Sequence, residues 1–282
     1  MTICVGVKVQ DCIVFAADST TSMQAMTANG EQLTVNTYDN ANKLFNLCKG
    51  LPIAAMTAGI GNFGTSSIST VAKDFRSLLQ SEDSEYFLDP ATYTMEEVAE
   101  KARKYFYEER FSSLDVKPSG SFQFWIGGYS SGADLGEIWE VVINEGNCGP
   151  VHCTAPKDQP AGLAWGGAPD AINRLVLGYS IAIGDALHAG GVPKEQIPAS
   201  IAGIGQFTQA NLLNPAMPTT DAIDLARFLA ETTKQFVRFC PGSNSVGGSI
   251  DIATVTKHEN FKWAARKHFY NRTLNPLETD HV

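Results

Sequence analysis

The sequence predicts an α+β domain in which two packed sheets are covered by layers of helices. Three observations point there: strand-like runs cluster, helix-like runs cluster separately, and the two kinds of cluster follow one another along the chain. That order favours stacked sheets over a doubly wound parallel sheet. With 282 residues, 44% of them hydrophobic and 18% charged, the chain can bury a sizeable core. No Pro/Ser-rich or low-complexity stretch offers a linker, so one domain over residues 1–282 is expected.

The first cluster opens with residues 3–9 and 12–17, rich in Ile, Val and Phe, around a turn at Gln10-Asp11. Strands at 41–47 and 51–58 flank Lys49-Gly50 as a second hairpin, and the latter run ends in Gly59-Ile60-Gly61. Helical spacing follows at 65–79 (Ile68, Val71, Ala72, Phe75, Leu78, Leu79), then at 94–110 behind a capping-box pattern, Thr94-Met95-Glu96-Glu97. Strands return at 121–129 and 136–143 around the polar turn SSGAD, and a short apolar run at 161–165 enters Gly166-Gly167. Helical periodicity recurs at 169–190 and at 221–239, where Leu225, Phe228, Leu229 and Phe236 share a face, before a last strand at 249–256.

A net charge of −9 and a pI near 5.0 repel phosphate backbones and anionic lipid surfaces, which sets nucleic-acid and membrane functions aside. Six scattered cysteines in a chain this long do not form a secreted disulfide framework; they imply reduced thiols and a cytoplasmic location. The apolar N-terminus lacks a basic flank and is interrupted by Lys8 and Asp11, unlike a signal peptide. Residues 175–192 carry Asp185, His188 and several glycines, so they read as a buried helix and not as a membrane span.

Several motifs compete for the chemistry. Gly59-Ile60-Gly61-Asn62-Phe63-Gly64 matches G-x-G-x-x-G between a strand and a helix, the context of a dinucleotide fingerprint and hence of an oxidoreductase. Earlier strands and the missing strand after the helix weigh against it. Gly128-Tyr129-Ser130-Ser131-Gly132 matches G-x-S-x-G, but a strand follows where a nucleophile elbow needs a helix. Cys148, His152 and Cys153 lack paired zinc-ligand spacing. The run at 261–272, FKWAARKHFYNR, reads as a packed or interface segment.

The N-terminus offers a different chemistry. Removal of Met1 before the small Thr2 leaves a free α-amine and a hydroxyl in one residue, a base and a nucleophile together. An α-amine titrates near 7.7–8.0 and is partly neutral at cell pH, where a lysine stays charged.

The runs TICVGVKVQDCIVFAADSTTS (2–22), NKLFNL (42–47), IAAMTAGIGNFG (53–64), FWIGGY (124–129) and SIDIATV (249–255) occur in one order across the chain. In that order they resemble the proteasome β-subunit family, particularly its bacterial homologues. The resemblance implies a four-layer α-β-β-α sandwich of the N-terminal-nucleophile hydrolase type and a threonine-type endopeptidase acting on unfolded polypeptides. It further implies homo-oligomeric stacked rings, with an ATPase regulator as a further partner, and no cofactor or metal. Position by position, Thr2 is the nucleophile, Asp18 and Lys43 are its charged companions, and the Gly59 N–H serves the oxyanion, with Ser22 and Gly59 also pairing with the substrate backbone. The implied specificity pocket, Thr21, Ala41, Phe45, Thr57 and Thr65, is uncharged and favours an apolar residue before the cleaved bond. A buried Lys43 ammonium would lower the pKa of Thr2, while Asp18 keeps that lysine charged.

Departures accompany the likeness. The turn Ala164-Trp165-Gly166-Gly167-Ala168-Pro169 has no serine where the family places one, and near the last strand Ser245 supplies a hydroxyl only with one residue inserted. Segments 24–38, around 191–220 and a C-terminal extension from about 257 exceed typical members, and no propeptide precedes Thr2. The extensions and the lack of a propeptide point toward a bacterial homologue, while the missing serine and the retained Met1 favour a second expectation: a non-catalytic ring or scaffold subunit on the same fold.

Overall fold

The computed structural model describes residues 2–26, 32–242 and 244–267. Alternation of side chains along the first hairpin builds the centre of one sheet. Strands β1 (Ile3–Lys8) and β2 (Ile13–Ala17) pair antiparallel, and every residue in both is buried. Because successive residues point to opposite faces, Ile3, Val5 and Val7 enter one apolar cluster while Cys4 enters another. A ribbon of β3 (Thr21–Met26) and β4 (Gln32–Tyr38) follows, and then β5 (Leu44–Asn46) and β6 (Ile53–Gly59) pair as the second expected hairpin. The short pair β7 (Asn62–Phe63) and β8 (Ser66–Ser67) leads into helix α1 (Ile68–Gln80), whose cap is the Ser67 hydroxyl accepting from the Thr70 N–H.

Helix α2 (Met95–Arg103) starts as the sequence implies, with the Thr94 hydroxyl accepting the Glu97 N–H at 3.1 Å, and widens into π-helical turns over Lys104–Phe111. Strands β9 (Ser121–Gly128) and β10 (Glu137–Asn144) form a hairpin; β11 (Asn147–Cys148) and β12 (His152–Ala155) add to β10, and β13 (Gly162–Gly167) pairs with β1. Helices α3 (Asp170–Ile172), α4 (Ile183–Ala189), α5 (Ile197–Thr208) and α6 (Thr219–Phe239) precede β14 (Asp251–Thr256) and β15 (Asn260–Ala265).

The strands assemble as an α+β arrangement of two main sheets. One has the order β13-β1-β2-β14-β15, the other β11-β10-β9-β6-β5 with β12 also on β10. Phe15, Ile13, Met56, Trp125 and Ile138 fill one cluster drawn from both sheets. Phe122, Phe124 and Ile126 point the other way, onto Phe75 of α1 and Phe106 after α2, with Phe106 and Phe124 ring centroids 4.3 Å apart. Ile3, Val5, Val14 and Ile252 pack on Ile172, Ala226 and Leu229 of the later helices. Lys8 is fully buried, its ammonium donating to the Pro156 carbonyl at 2.6 Å. Among the described residues, no helix is long and apolar enough to cross a membrane.

Three local expectations are corrected. The helical run at 169–190 is broken: the π-helical turns over Asn173–Leu177 end at Gly178, whose φ of +82° reverses the chain, and α4 begins only at Ile183. The stretch 175–192 is therefore not a buried helix, and α4 and α5 bury no residue at all. On α6 the buried stripe is Ala222, Ala226, Leu229, Ala230 and Thr233, small residues that let the helix lie close to β1, while Phe228 is 51% exposed. Residues 260–265, read as part of the C-terminal extension, form the edge strand β15. The rest of the basic-aromatic run, from 268 on, lies outside the described residues.

One buried ion pair ties that edge down. The Lys267 ammonium contacts Asp251 Oδ2 and the Lys267 N–H donates to Oδ1 at 2.9 Å, with both side chains almost wholly buried. Removing one member leaves the other charge without its partner. Asp251→Ala is expected to cost about 3–5 kcal/mol of unfolding free energy in urea titrations; a loss below about 1 kcal/mol would show that water already reaches Lys267.

Candidate active site

The end of the first hairpin places the charged residues. Asp18 follows β2 directly, and its carboxylate closes the hairpin by accepting the Ile3 N–H at 3.1 Å, while its own N–H donates to the Ile3 carbonyl. The same carboxylate accepts the Thr20 N–H at 3.1 Å and the Gly247 N–H at 3.0 Å, so the loop before β14 is fixed to it. Lys43, just before β5, is held by its backbone, whose carbonyl accepts the Thr57 N–H of β6 at 2.9 Å. Its ammonium donates to Asp18 Oδ1 and to Thr2 Oγ1, each at 2.7 Å. Thr2, immediately before β1, is 4% exposed.

Burial of this cluster sets its electrostatics. The Lys43 ammonium lies below its ordinary range because desolvation outweighs the stabilising Asp18 carboxylate. Burial also pushes the Cys4 thiol well up, and its Sγ–H donates to the Thr57 carbonyl, so it is an inert neighbour rather than a rival nucleophile.

A cleft of about 280 Å³ opens beside Thr2, walled by Gly59, Ser121 and Gln123 of one sheet and by Trp165, Gly166 and Gly167 of the other. Two of these positions require glycine. Gly59 has φ +89°, and a Cβ there would stand 1.9 Å from the Ser121 carbonyl oxygen. Gly167 has φ +84°, and its Cβ would stand 2.0 Å from the Thr2 carbonyl oxygen. The second clash excludes a serine at 167, where any side chain would collide with Thr2.

The remaining residues scatter. Thr21 and Ser22 open β3, with Thr21 Oγ1 3.2 Å from where a Cβ on Gly61 would stand, so this strand lies along the segment after Gly59. Ala41 is half-buried, its N–H donating to the Ser19 carbonyl. Phe45 is packed beneath α1, the Thr57 hydroxyl donates to the Gln123 carbonyl at 3.1 Å, and Thr65 is exposed between β7 and β8. None of these last three lines the cleft beside Thr2. Ser245 is 5% exposed, and its hydroxyl has no hydrogen-bond partner among the described residues. Ser121 and Gln123 are marked by no sequence motif, and Gly167 stands out there only as part of the turn at 164–169. Met1, whose removal would free the Thr2 amine, lies outside the described residues.

The competing motifs acquire structural roles. Strand β6, ahead of the glycine run, is antiparallel to both neighbours, and the run continues into β7 and β8 rather than into a phosphate-binding helix. The Ser130 hydroxyl accepts the Met95 N–H and donates to Glu137 Oε1, each at 2.9 Å, fastening the start of α2. Among the described residues no group of three or more His, Cys, Asp or Glu is placed to hold a metal ion. The six cysteines are unpaired.

Fold and site together define an α+β chain with a buried Thr–Lys–Asp cluster at the end of a hairpin. No family model matches the chain, and no curated protein matches it. Among solved structures it is similar to the helical assembly of the Anbu complex from Pseudomonas aeruginosa, with a TM-score of 0.51 and 17% identity over 96% of this chain and 90% of that one. The likeness is one of fold. It corrects the assignment to the proteasome β-subunit family, which neither a family model nor a curated relative supports. The physical reason is visible in the matching runs: they largely fall on β1, β2, β6, β9 and β14, where burial dictates composition and reports the architecture.

The depressed Lys43 has a consequence for stability. Its folded-state pKa lies below the unfolded value near 10.5, so between the two the unfolded chain binds more protons and stability rises with pH. Lys43→Met should flatten that rise in urea titrations run at increasing alkaline pH up to 10.5. An unchanged slope in the variant would assign the rise to other groups, such as Lys8, whose ammonium is also lowered by burial.

Proposed function

We propose that this chain is a threonine-type peptide hydrolase in which Thr2, once Met1 is removed, is the nucleophile. The observation that carries the reading is Lys43 Nζ, 2.7 Å from both Thr2 Oγ1 and Asp18 Oδ1 in a buried site. In this reading the two sheets and their helix clusters form a four-layer α-β-β-α sandwich of the N-terminal-nucleophile hydrolase type.

The chemistry follows from the groups present. The free Thr2 amine takes the hydroxyl proton as Oγ1 attacks the peptide carbonyl carbon, and the Lys43 ammonium stabilises the developing alkoxide. The Gly59 N–H faces the carbonyl oxygen as it becomes an oxyanion. The C–N bond then breaks, the protonated Thr2 α-amine gives that proton to the leaving amine, and an ester on Thr2 remains. Water, deprotonated by the same amine, releases the acid and restores Thr2. Asp18 orients Lys43 and keeps it charged.

The substrates in this reading are unfolded polypeptides in the cytoplasm, bound as an extended strand between Ser22 and Gly59, with Thr21, Ala41, Phe45, Thr57 and Thr65 around the apolar residue before the cleaved bond. Assembly into a homo-oligomer follows, since an unselective hydrolase is safe only when enclosed. The similar Anbu complex is a helical assembly, which supports oligomerisation without deciding between a ring and a helix. Light scattering at micromolar concentration should show a particle much larger than a dimer; a monomer would remove assembly from the reading.

A second reading, a non-catalytic subunit of such a particle, is favoured by the 4% exposure of Thr2 and the absence of a hydroxyl across 164–169. Intact mass with activity separates the two. Protein lacking Met1 should hydrolyse fluorogenic peptides and be labelled by an epoxyketone, which bonds to hydroxyl and amine together. Thr2→Ala should lose at least about a thousandfold in kcat/KM and all labelling, and Lys43→Ala should lose turnover in an intact particle, while Thr2→Ser retains some. Undiminished hydrolysis by protein homogeneous for retained Met1 would overturn the threonine mechanism; inert protein lacking Met1 would establish the scaffold role.

A further inference from the structure

Resting on the threonine-hydrolase reading, we infer that the cleft beside Thr2 is the subsite for the residue after the cleaved bond, and that Gln123 selects an uncharged polar side chain there. Strand alternation aims Gln123 at the cleft. Phe122 and Phe124 point toward the helices while Trp125 points between the sheets, so Gln123, two residues from Trp125, shares the intersheet face. On the opposite wall Ala164 belongs to the intersheet cluster, so Gly166 shares its face.

Gly166 lets the two walls of the cleft approach each other: a Cβ there would stand 2.9 Å from Trp125 Cζ2 and 3.0 Å from Gln123 Oε1, too close for either, so the Gln123 amide lies against bare backbone at the cleft wall. Trp165 borders the cleft between Ala164 and Gly166, while its side chain packs toward the later helices, the indole N–H donating to Asn173 Oδ1 at 2.8 Å.

The Gln123 backbone carbonyl accepts from Thr57, but its side-chain amide makes no hydrogen bond among the described residues. An amide offers two donors and an acceptor, and a half-buried one with nothing to bind gains most from a ligand carrying the same groups. Apart from Thr2 itself, no residue around the cleft carries a charge or a hydroxyl except Ser121 at the rim. A cationic side chain entering there would lose water without finding a carboxylate in the lining. Residues proposed for the side chain before the cleaved bond (Ala41, Phe45, Thr57) lie elsewhere, which leaves this cleft to the leaving segment.

Fluorescence-quenched peptides differing only at the residue after the cleaved bond test this, using the near-isosteric pairs Thr/Val and Asn/Leu. Wild-type protein is expected to prefer the polar member by roughly fivefold to tenfold in kcat/KM, the value of one neutral hydrogen bond. Gln123→Leu should erase that preference while leaving the preference before the bond unchanged, and Gly166→Ala, which crowds the amide, should erase it too. Wild-type protein that cleaves and is labelled but shows no polar preference would overturn the inference alone, as would a preference that survives in Gln123→Leu. If neither variant assembles, the wild-type pair comparison decides. Wild-type protein that neither cleaves nor is labelled brings down the threonine reading and this subsite with it.

Discussion

The buried Asp18 carboxylate is the constraint on which the rest of this site depends. It sits where four segments meet: the start of β1 through Ile3, the end of β2, the loop before β14 through Gly247, and the approach to β5 through Lys43. Three backbone N–H groups and an ammonium converge on its two oxygens. A carboxylate out of water is tolerable only with that many donors. The donors in turn come from segments far apart in the sequence, so satisfying one charge registers the hairpin, the last strand and the β5–β6 hairpin against one another. Thr2 Oγ1 receives its hydrogen bond from Lys43 as a by-product of that registration.

Much of this was legible in the sequence because it depends on local signals. Continuous Ile/Val runs around Gln10-Asp11 specified a hairpin buried on both faces, and Thr94 three residues before Glu97 marked the start of α2. Asp18 and Lys43 were named only through the family resemblance; in the structure the Lys43 ammonium donates to both Thr2 Oγ1 and Asp18 Oδ1. Gly59 stood out at the end of an apolar run, where its positive φ and the packed Ser121 carbonyl now explain it.

What escaped the sequence falls into two physical kinds. The cleft lies where Gly166 meets Gln123 across two sheets, and no periodicity encodes the close approach of a glycine in one strand to an unremarkable glutamine in another. The second kind is apolar surface that the described residues leave exposed. Helical periodicity at 169–190 implied burial, yet α4 and α5 bury nothing, and Ile181, Phe207 and Phe239 are 63%, 92% and 79% exposed. Periodicity reports that a face is apolar; it does not report what covers it. Phe45 lies apart from the cleft because a strand position fixes which face a side chain takes, and β5 gives Phe45 to the helices.

At 17% identity, two chains can share this fold because the fold asks only for buried strands of the right period and helices with a small-residue stripe. Chemistry asks for more. It needs a hydroxyl, an ammonium and a carboxylate within hydrogen-bond reach in a site dry enough to strengthen each interaction, and core composition supplies none of these. The 2.7 Å contacts at Lys43 are therefore evidence of a different order from the matching strands. A lysine held there merely to neutralise Asp18 would be an expensive solution, since burial already drives the ammonium below its ordinary range and an apolar pair of similar volume would fill the same space without that cost. In the threonine-hydrolase reading proposed above, that cost is offset by the work the ammonium does on the Thr2 hydroxyl.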